Sequence, residues 1–268
     1  MACLQRQIFI LLVIVTLGLC SVKESTLFAQ SNRGFNANIK PQATSLELND
    51  RYGHWAMEVT FKPMRMVRLK IKDSKTGETK EHLVWYMLYK AVNRPIVKLQ
   101  NQAKTRPVNT EDPDLDTPYF IPEFTLVTND NDGQQVYTDK VFPEAEAMIL
   151  ERELRGKESR GDYKNTVDIV QKIPATVTAG NETKQTTLQG VVIWTGIDPK
   201  TDYFTVYMSG FSSGYKKMAG EDGKQSIARR TIQQKFWRPG DEFDEDEIEF
   251  RYKDDPEWVY RPDPEPIK

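Results

Sequence analysis

The chain has 268 residues, of which 28% are charged, with 37 basic and 39 acidic side chains and a formal net charge of −2. That length allows one large all-β domain, or one domain with an appendage. Ordinary glycine, proline and charge content excludes a chain disordered throughout. Near-neutrality gives no field for nucleic acid or anionic lipid, and no single basic patch with interleaved aromatics stands out along the chain.

Residues 1–29 read as a secretory signal peptide. Arg6 gives a positive start, Ile8 to Leu19 is a short apolar core, and Leu27-Phe28-Ala29 ends in a small residue. About a dozen apolar residues are too few to span a bilayer of ~30 Å comfortably, so cleavage near Ala29 is expected over retention as an anchor. Cys20 after Leu17-Gly18-Leu19 fits a lipoprotein signal poorly, because Leu19 is not small. Both cysteines, Cys3 and Cys20, lie in this segment, so the exported chain has none. It therefore lacks disulfides, thiol catalysis and thiolate metal sites, and must be held together by burial.

Residues 30–50, rich in Asn, Gln and Ser, read as a flexible leader. Tyr52 to Ile71 has strand pattern, with Val67, Leu69 and Ile71 on one face, basic residues on the other, and Pro63 marking a bend or edge. Asp73 to Thr79 is a hairpin turn in which Gly77 supplies positive φ. His82 to Asn93, HLVWYMLYKAVN, is apolar on both faces and predicts a strand covered on both sides. Arg94 to Pro118 is a long proline-bearing loop, functional or simply loose. Strands follow at Tyr119 to Thr128 and Val136 to Val141, joined by a turn at Asn129 to Gly133. Pro143 opens the one helix, to about Arg155, with Glu144 and Glu146 early, Arg152 and Arg155 late, and Gly156 as its stop. Ala145, Met148 and Ile149 form its buried stripe; the pattern leaves Leu154 open. Thr166 to Ile173, Thr186 to Ile197, Tyr203 to Ser209, Ile227 to Trp237 and Glu247 to Tyr252 complete the strands. The Pro-rich end is expected to be extended and solvated.

The fold class expected is all-β for the most part: a sandwich of about nine or ten strands with one inserted α-helix. Residues 51–218 would form the sandwich, 219–253 a β-rich C-terminal extension and 254–268 a tail. Val84 to Asn93 resembles the strand ending in V-x-N of secreted immunoglobulin-like domains of bacteria. Phe124 to Thr128 running into Asp132-Gly133 and Val136-Tyr137 resembles their next hairpin, and Gly190 to Trp194 a later strand. The resemblance covers about Trp55 to Ser209 and implies an immunoglobulin-like sandwich of the kind that binds partners. The helix and the last fifty residues depart from it.

Several patterns were weighed for chemistry. Gly210-Phe211-Ser212-Ser213-Gly214 matches G-x-S-x-G, but no helix pattern follows it, and both histidines, His54 and His82, lie upstream. A glycine-rich loop is the simpler account. Thr128, Asp130, Asp132, Gly133 and Asp139 fall on a calcium-loop template, so Asp130, Asp132 and Asp139 are candidate metal ligands. The template wants Asp first and Glu last, and a hairpin turn explains the same residues. Asp241 to Glu249 is acidic, as a solvated turn would be. Trp237 and Trp258 are candidates for a recognition surface. The expected role is a non-enzymatic exported module, periplasmic or secreted, without a cofactor. It would bind an envelope or extracellular protein or glycan, or act structurally, and would touch membrane only if its N-terminal segment were retained. The alternatives are an extracytoplasmic enzyme acting on glycans through carboxylates such as Asp112, Asp114 and Asp116, or a calcium-stabilised surface protein.

Overall fold

A computed structural model describes residues 34–50, 53–72, 76–99, 119–130, 133–154, 160–219, 225–239 and 249–262. The N-terminal part holds β1 (Ala37–Ile39), β2 (Gln42–Thr44), helix α1 (Ser45–Asp50), β3 (Met57–Phe61), β4 (Arg65–Lys72), β5 (Thr79–Asn93) and β6 (Val97–Leu99). Then come β7 (Tyr119–Phe120), β8 (Glu123–Thr128), β9 (Val136–Thr138), helix α2 (Pro143–Glu153), β10 (Tyr163–Lys164) and β11 (Gln171–Lys172). The rest is β12 (Thr187–Thr195), β13 (Tyr203–Ser209), β14 (Tyr215–Ala219), β15 (Gln225–Trp237) and β16 (Arg251–Pro262). The chain is mostly β, as its residue pattern predicts.

Two six-stranded sheets dominate. The first runs β1-β3-β5-β12-β10, with β4 also on β5; the second runs β14-β15-β13-β8-β9, with β16 also on β15. The pairs β2–β6 and β7–β11 are separate ribbons. In both large sheets a long strand is lined by two shorter ones with a joint between them. β3 and β4 both pair with β5, and the register shifts from Phe61↔Tyr89 to Arg65↔Tyr86 across Lys62-Pro63-Met64. Pro63 cannot donate to the ladder, so the break falls where its missing N–H does least harm. β13 and β14 likewise both pair with β15, interrupted at residues 210–214. The joints fasten the sheets to each other: Ala56 bridges Ser212, and Arg65 bridges Glu249.

β5 explains the layering. Trp85, Met87, Tyr89 and Ala91 lie in the main core, facing Phe124, Leu126, Phe204, Val206, Met208, Ile232 and Phe236 of the second sheet. Val84, Tyr86 and Leu88, on its other face, pack with Val191 and Ile193 of β12 and with α2. A strand with apolar side chains on both faces must be covered twice, here by a sheet on one side and a helix on the other. Aromatic rings fill the inter-sheet space. Trp85 meets Phe204 edge-on at 5.2 Å, and Tyr89 lies 5.1 Å from Phe124 and 5.6 Å from Phe211. Gly190, directly opposite Tyr89, leaves room for that ring; a Cβ there would stand 2.3 Å from it.

Helix α2 buries Ala145, Ile149 and Leu150, and Leu154 just beyond its end is buried too, whereas Met148 is 40% exposed, contrary to the expected stripe. A buried charge network fastens the helix. Glu153, whose side chain is 2% exposed, accepts from Arg65 Nη1 at 2.8 Å, Lys62 Nζ at 3.1 Å and the Tyr86 hydroxyl at 2.9 Å. Arg65 also reaches Glu249 at 3.3 Å. Burial alone would raise the Glu153 carboxyl, but the Arg65 and Lys62 charges and the hydrogen bonds outweigh it and hold it below the ordinary carboxylate range.

Four expectations are corrected. Thr166 to Ile173 is a turn followed by a two-residue strand, because Asn165 Oδ1 accepts from the Val167 and Asp168 N–H groups and draws the backbone into an Asx turn. The expected leader is structured from residue 34: β1 joins the first sheet, and Thr44 and Glu47 cap α1 reciprocally. The region 219–253 is no appendage, since β15 pairs with β13, β14 and β16. The tail expected from residue 254 is instead the greater part of β16, which reaches Pro262; Pro256 and Pro262 are tolerated because it is an edge strand. Trp258 Nε1 donates to the Lys40 carbonyl at 3.0 Å, and Tyr260 donates to Glu47, so the two chain ends hold each other.

Two stability predictions follow from the packing. Gly190→Ala overpacks the Tyr89 ring and costs about 1–3 kcal/mol in denaturant unfolding; pairing it with Tyr89→Leu is expected to recover part of the loss, and no recovery would show the contact does not set the cost. Glu153→Ala leaves two buried cations without their counter-charge and costs roughly 3–5 kcal/mol. Because the folded-state carboxyl lies below its unfolded value, its contribution is complete above about pH 4.5 and fades as pH falls through the lower folded value. Unfolding curves from pH 7 to 3 should therefore decline less for Glu153→Gln than for the parent; parallel declines would contradict the network's role.

Candidate binding face

The structure brings His54 to the G-x-S-x-G segment, but beside Ser213 rather than Ser212. His54 Nδ1 lies 3.4 Å from Ser213 Oγ, and Nε2 lies 3.4 Å from Arg230 Nη1. A guanidinium only donates, so a hydrogen bond from Arg230 makes Nε2 an acceptor, whereas a general base toward Ser213 uses Nδ1 as the acceptor. Ser213 Oγ also accepts from the Trp55 N–H at 2.9 Å, while Ser212 donates to the Trp55 carbonyl at 3.1 Å. The two glycines answer packing. Gly210 has φ +83° and would drive a Cβ to 2.1 Å from the Ile121 carbonyl; at Gly214 a Cβ would meet Arg230 and His54 at 2.9 Å. The segment is the joint between β13 and β14, strand to strand.

Of the calcium candidates, Asp130 and Asp139 lie apart from each other. Asp130 Oδ2 accepts from the Asp202 and Tyr203 N–H groups, the latter at 2.7 Å. Asp139 accepts from the Thr166 hydroxyl, and its N–H donates to Phe124 at the far end of the β8–β9 hairpin. Six residues of extended chain separate Phe124 from Asp130, roughly 20 Å. Asp132 lies outside the described residues, as do Asp112, Asp114, Asp116 and the greater parts of the Arg94–Pro118 loop and the Asp241–Glu249 run. Trp237 and Trp258 do not share a surface either. Trp258 sits opposite buried Ile232, on the core side of the second sheet, while Trp237 sits opposite Arg251 on the outer side.

That outer side is where functional groups collect. Along β13, β15 and β16, alternate residues face away from the core: Tyr203, Thr205 and Tyr207; Lys235 and Trp237; Arg251, Lys253 and Arg261. Arg251 Cζ lies 5.7 Å from the centre of the Trp237 ring, Lys253 Nζ 5.1 Å from Tyr203, and Arg261 Cζ 4.3 Å from Tyr207. Lys253 and Arg261 belong to β16 and their rings to β13, so each side chain crosses the intervening β15. Ring faces attract cations without neutralising them. Elsewhere several guanidiniums pair with carboxylates: Arg65 with Glu153, Arg94 with Glu58 and Glu182, Arg238 with Asp202. Among the described residues no carboxylate lies in ion-pair reach of Arg251, Lys253 or Arg261. The acids on or beside this face among the described residues include Glu123, Asp130, whose carboxylate accepts from the Tyr203 N–H, Asp255, Glu257, held by Gln233 at 2.8 Å, and Asp254, 3.9 Å from Lys235. A pocket of about 310 Å³ opens here, lined by Asn129, Tyr203, Phe204, Lys235, Phe236 and Lys253.

Residue order hid this basic, aromatic patch, because its members are every second residue of three strands far apart in the chain. The usable signal was the outward alternation Tyr203-x-Thr205-x-Tyr207 set against Arg251-x-Lys253. No family model, curated protein or solved structure matches the chain.

Ser213→Ala is expected to leave the Trp55 N–H without its side-chain acceptor and to lower stability by about 1 kcal/mol. The same variant should leave unchanged any background hydrolysis of p-nitrophenyl acetate. Loss of a measurable esterase activity with Ser213→Ala would contradict a purely structural role for this serine.

Proposed function

We propose that the chain is a non-enzymatic exported binding module that holds an extended glycan across the outer face of its second sheet. Export rests on the apolar run Ile8 to Leu19 after Arg6, and on a chain whose cysteines, Cys3 and Cys20, both precede the fold. The immunoglobulin-like character implied by the resemblance belongs to the same reading. Its supports are that Val84 to Asn93, Phe124 to Thr128 and Gly190 to Trp194 all fall within strands, and that two sheets face each other across one core.

The carrying observation is the open face itself. The first sheet's outer side is covered by α2, whereas the second sheet's outer side presents Tyr203, at 44% exposure, with Tyr207, Trp237 and their cations. The ring edges left exposed beside the cations offer apolar surface to sugar C–H groups, and the long donors reach hydroxyl oxygens. An open face, unlike a deep cleft, suits a polymer lying across strands rather than a small molecule enclosed on all sides. The Arg230 guanidinium set against His54, and the strand-to-strand joint that carries Ser212 and Ser213, favour binding over hydrolysis.

Affinity electrophoresis tests the reading. The protein should be retarded in gels cast with at least one of dextran, xylan, alginate or polygalacturonate, and a Tyr203→Ala/Trp237→Ala variant with an unchanged far-ultraviolet spectrum should run free. Unretarded mobility of the parent protein in all four gels would overturn it.

A further inference from the structure

Resting on that reading of the outer face, we infer that the pocket between β13, β15 and β16 is an anion subsite, and that the glycan is acidic, carrying uronate carboxylates. Lys235 and Lys253 stand on adjacent strands, directly opposite each other in register, and both line the pocket. Tyr203 forms another wall and holds Lys253 Nζ over its ring at 5.1 Å, so one ammonium is placed without a carboxylate partner among the described residues. The other, Lys235 Nζ, is 3.9 Å from Asp254 Oδ2, with 42% and 67% of the two side chains exposed. That is a long, solvated contact of small energy, which an incoming carboxylate can replace. Asn129 donates its amide to Thr205 Oγ1 at 2.9 Å and is thereby fixed at the rim.

Two ammoniums bounding one recess, with an aromatic wall, match an anionic group attached to a flat, partly apolar ring. A neutral sugar supplies no counter-charge to Lys253 and none to replace the long Asp254 contact of Lys235. The rest of the face continues the pattern: Arg251 beyond Trp237 and Arg261 over Tyr207 supply further cations at the two ends of the same strands. A charge repeating along the ligand therefore meets a cation at each ring. The neighbouring carboxylate Asp130 is turned to the Asp202 and Tyr203 N–H groups and is not aimed at the lysines.

The contour fits a polysaccharide better than a nucleic acid strand. Lysine and arginine already occupy the ring faces, whereas base stacking needs those faces open. A carboxylate polymer needs only the cations, with its sugar rings seated against Tyr203.

The test is titration calorimetry of the full chain with oligogalacturonate, with a neutral xylo-oligosaccharide, with dextran sulfate and with a thymidine homopolymer. Oligogalacturonate is expected to bind tightest and to weaken with added salt. Lys235→Ala and Lys253→Ala should each weaken it by about tenfold. Lys172→Ala, at an exposed site on β11 outside this face, should stay within about twofold. Lys235→Gln and Lys253→Gln, with melting temperatures matched to the parent, guard against a folding defect. Equal binding of neutral and acidic oligosaccharides would overturn the anion subsite while leaving glycan binding intact. Tighter binding of the thymidine homopolymer or dextran sulfate than of oligogalacturonate would overturn the uronate assignment. Absence of binding by every carbohydrate would remove both this inference and the binding role beneath it.

Discussion

The two-sided burial of β5 is the constraint from which the rest of the structure follows. Its central residues carry apolar or aromatic side chains on both faces, and no arrangement with one wet face can accommodate them. One face requires the second sheet; the other requires α2. The helix contributes few apolar residues, chiefly Ala145, Ile149 and Leu150, and its C-terminal end is held by Glu153 against Arg65 and Lys62. Such a network specifies where the helix sits more than it adds stability, since pairing buried charges roughly offsets the cost of desolvating them.

Among the described residues, layering of this kind leaves one large sheet surface uncovered. In the first sheet both faces are spent on packing. In the second the inner face is packed and the outer face is free to carry polar and aromatic side chains in register. The fold thus sets the place of the proposed binding face before any side chain on it is considered. It also accounts for the distribution of charge. Arg94 and Arg238, at loop junctions, have carboxylate partners, whereas Arg251, Lys253 and Arg261 on the outer face lie over rings. Arg230 stands apart: it faces inward, lies over Trp258 at 4.7 Å, and ties the N-terminal segment to β15 through the Gln42 carbonyl.

Where local pattern decided the structure, the residues alone were enough. Val67, Leu69 and Ile71 alternate and form β4; Pro143 with its early acids opens α2; the apolar run of β5 declared its double covering. Where partners far along the chain decided it, they were not. Residues 254–262 read as a solvated tail, because Pro256, Pro262 and three acids disfavour a central strand; an edge position removes that objection. Residues 166–173 read as a strand because Val167, Ile169 and Ile173 suggest alternation, but the Asn165 side chain outbids the ladder for the backbone. The lysine, arginine and ring ladder was invisible for a different reason: its register depends on the bulge near Gln234, which realigns β16 on β15. Gln234 supports that bulge by donating to the Lys235 and Asp254 carbonyls at 2.7 and 3.1 Å.

Native-state hydrogen exchange, read by mass spectrometry on a peptide spanning residues 83–92, tests the central constraint most directly. Amides of a strand sealed between a sheet and a helix open only when the whole domain unfolds. The account predicts that this peptide exchanges at the global unfolding rate and is the slowest in the chain, with β15 and β16 exchanging sooner from their open face. Exchange of residues 83–92 by local opening, at rates matching the edge strands, would contradict it.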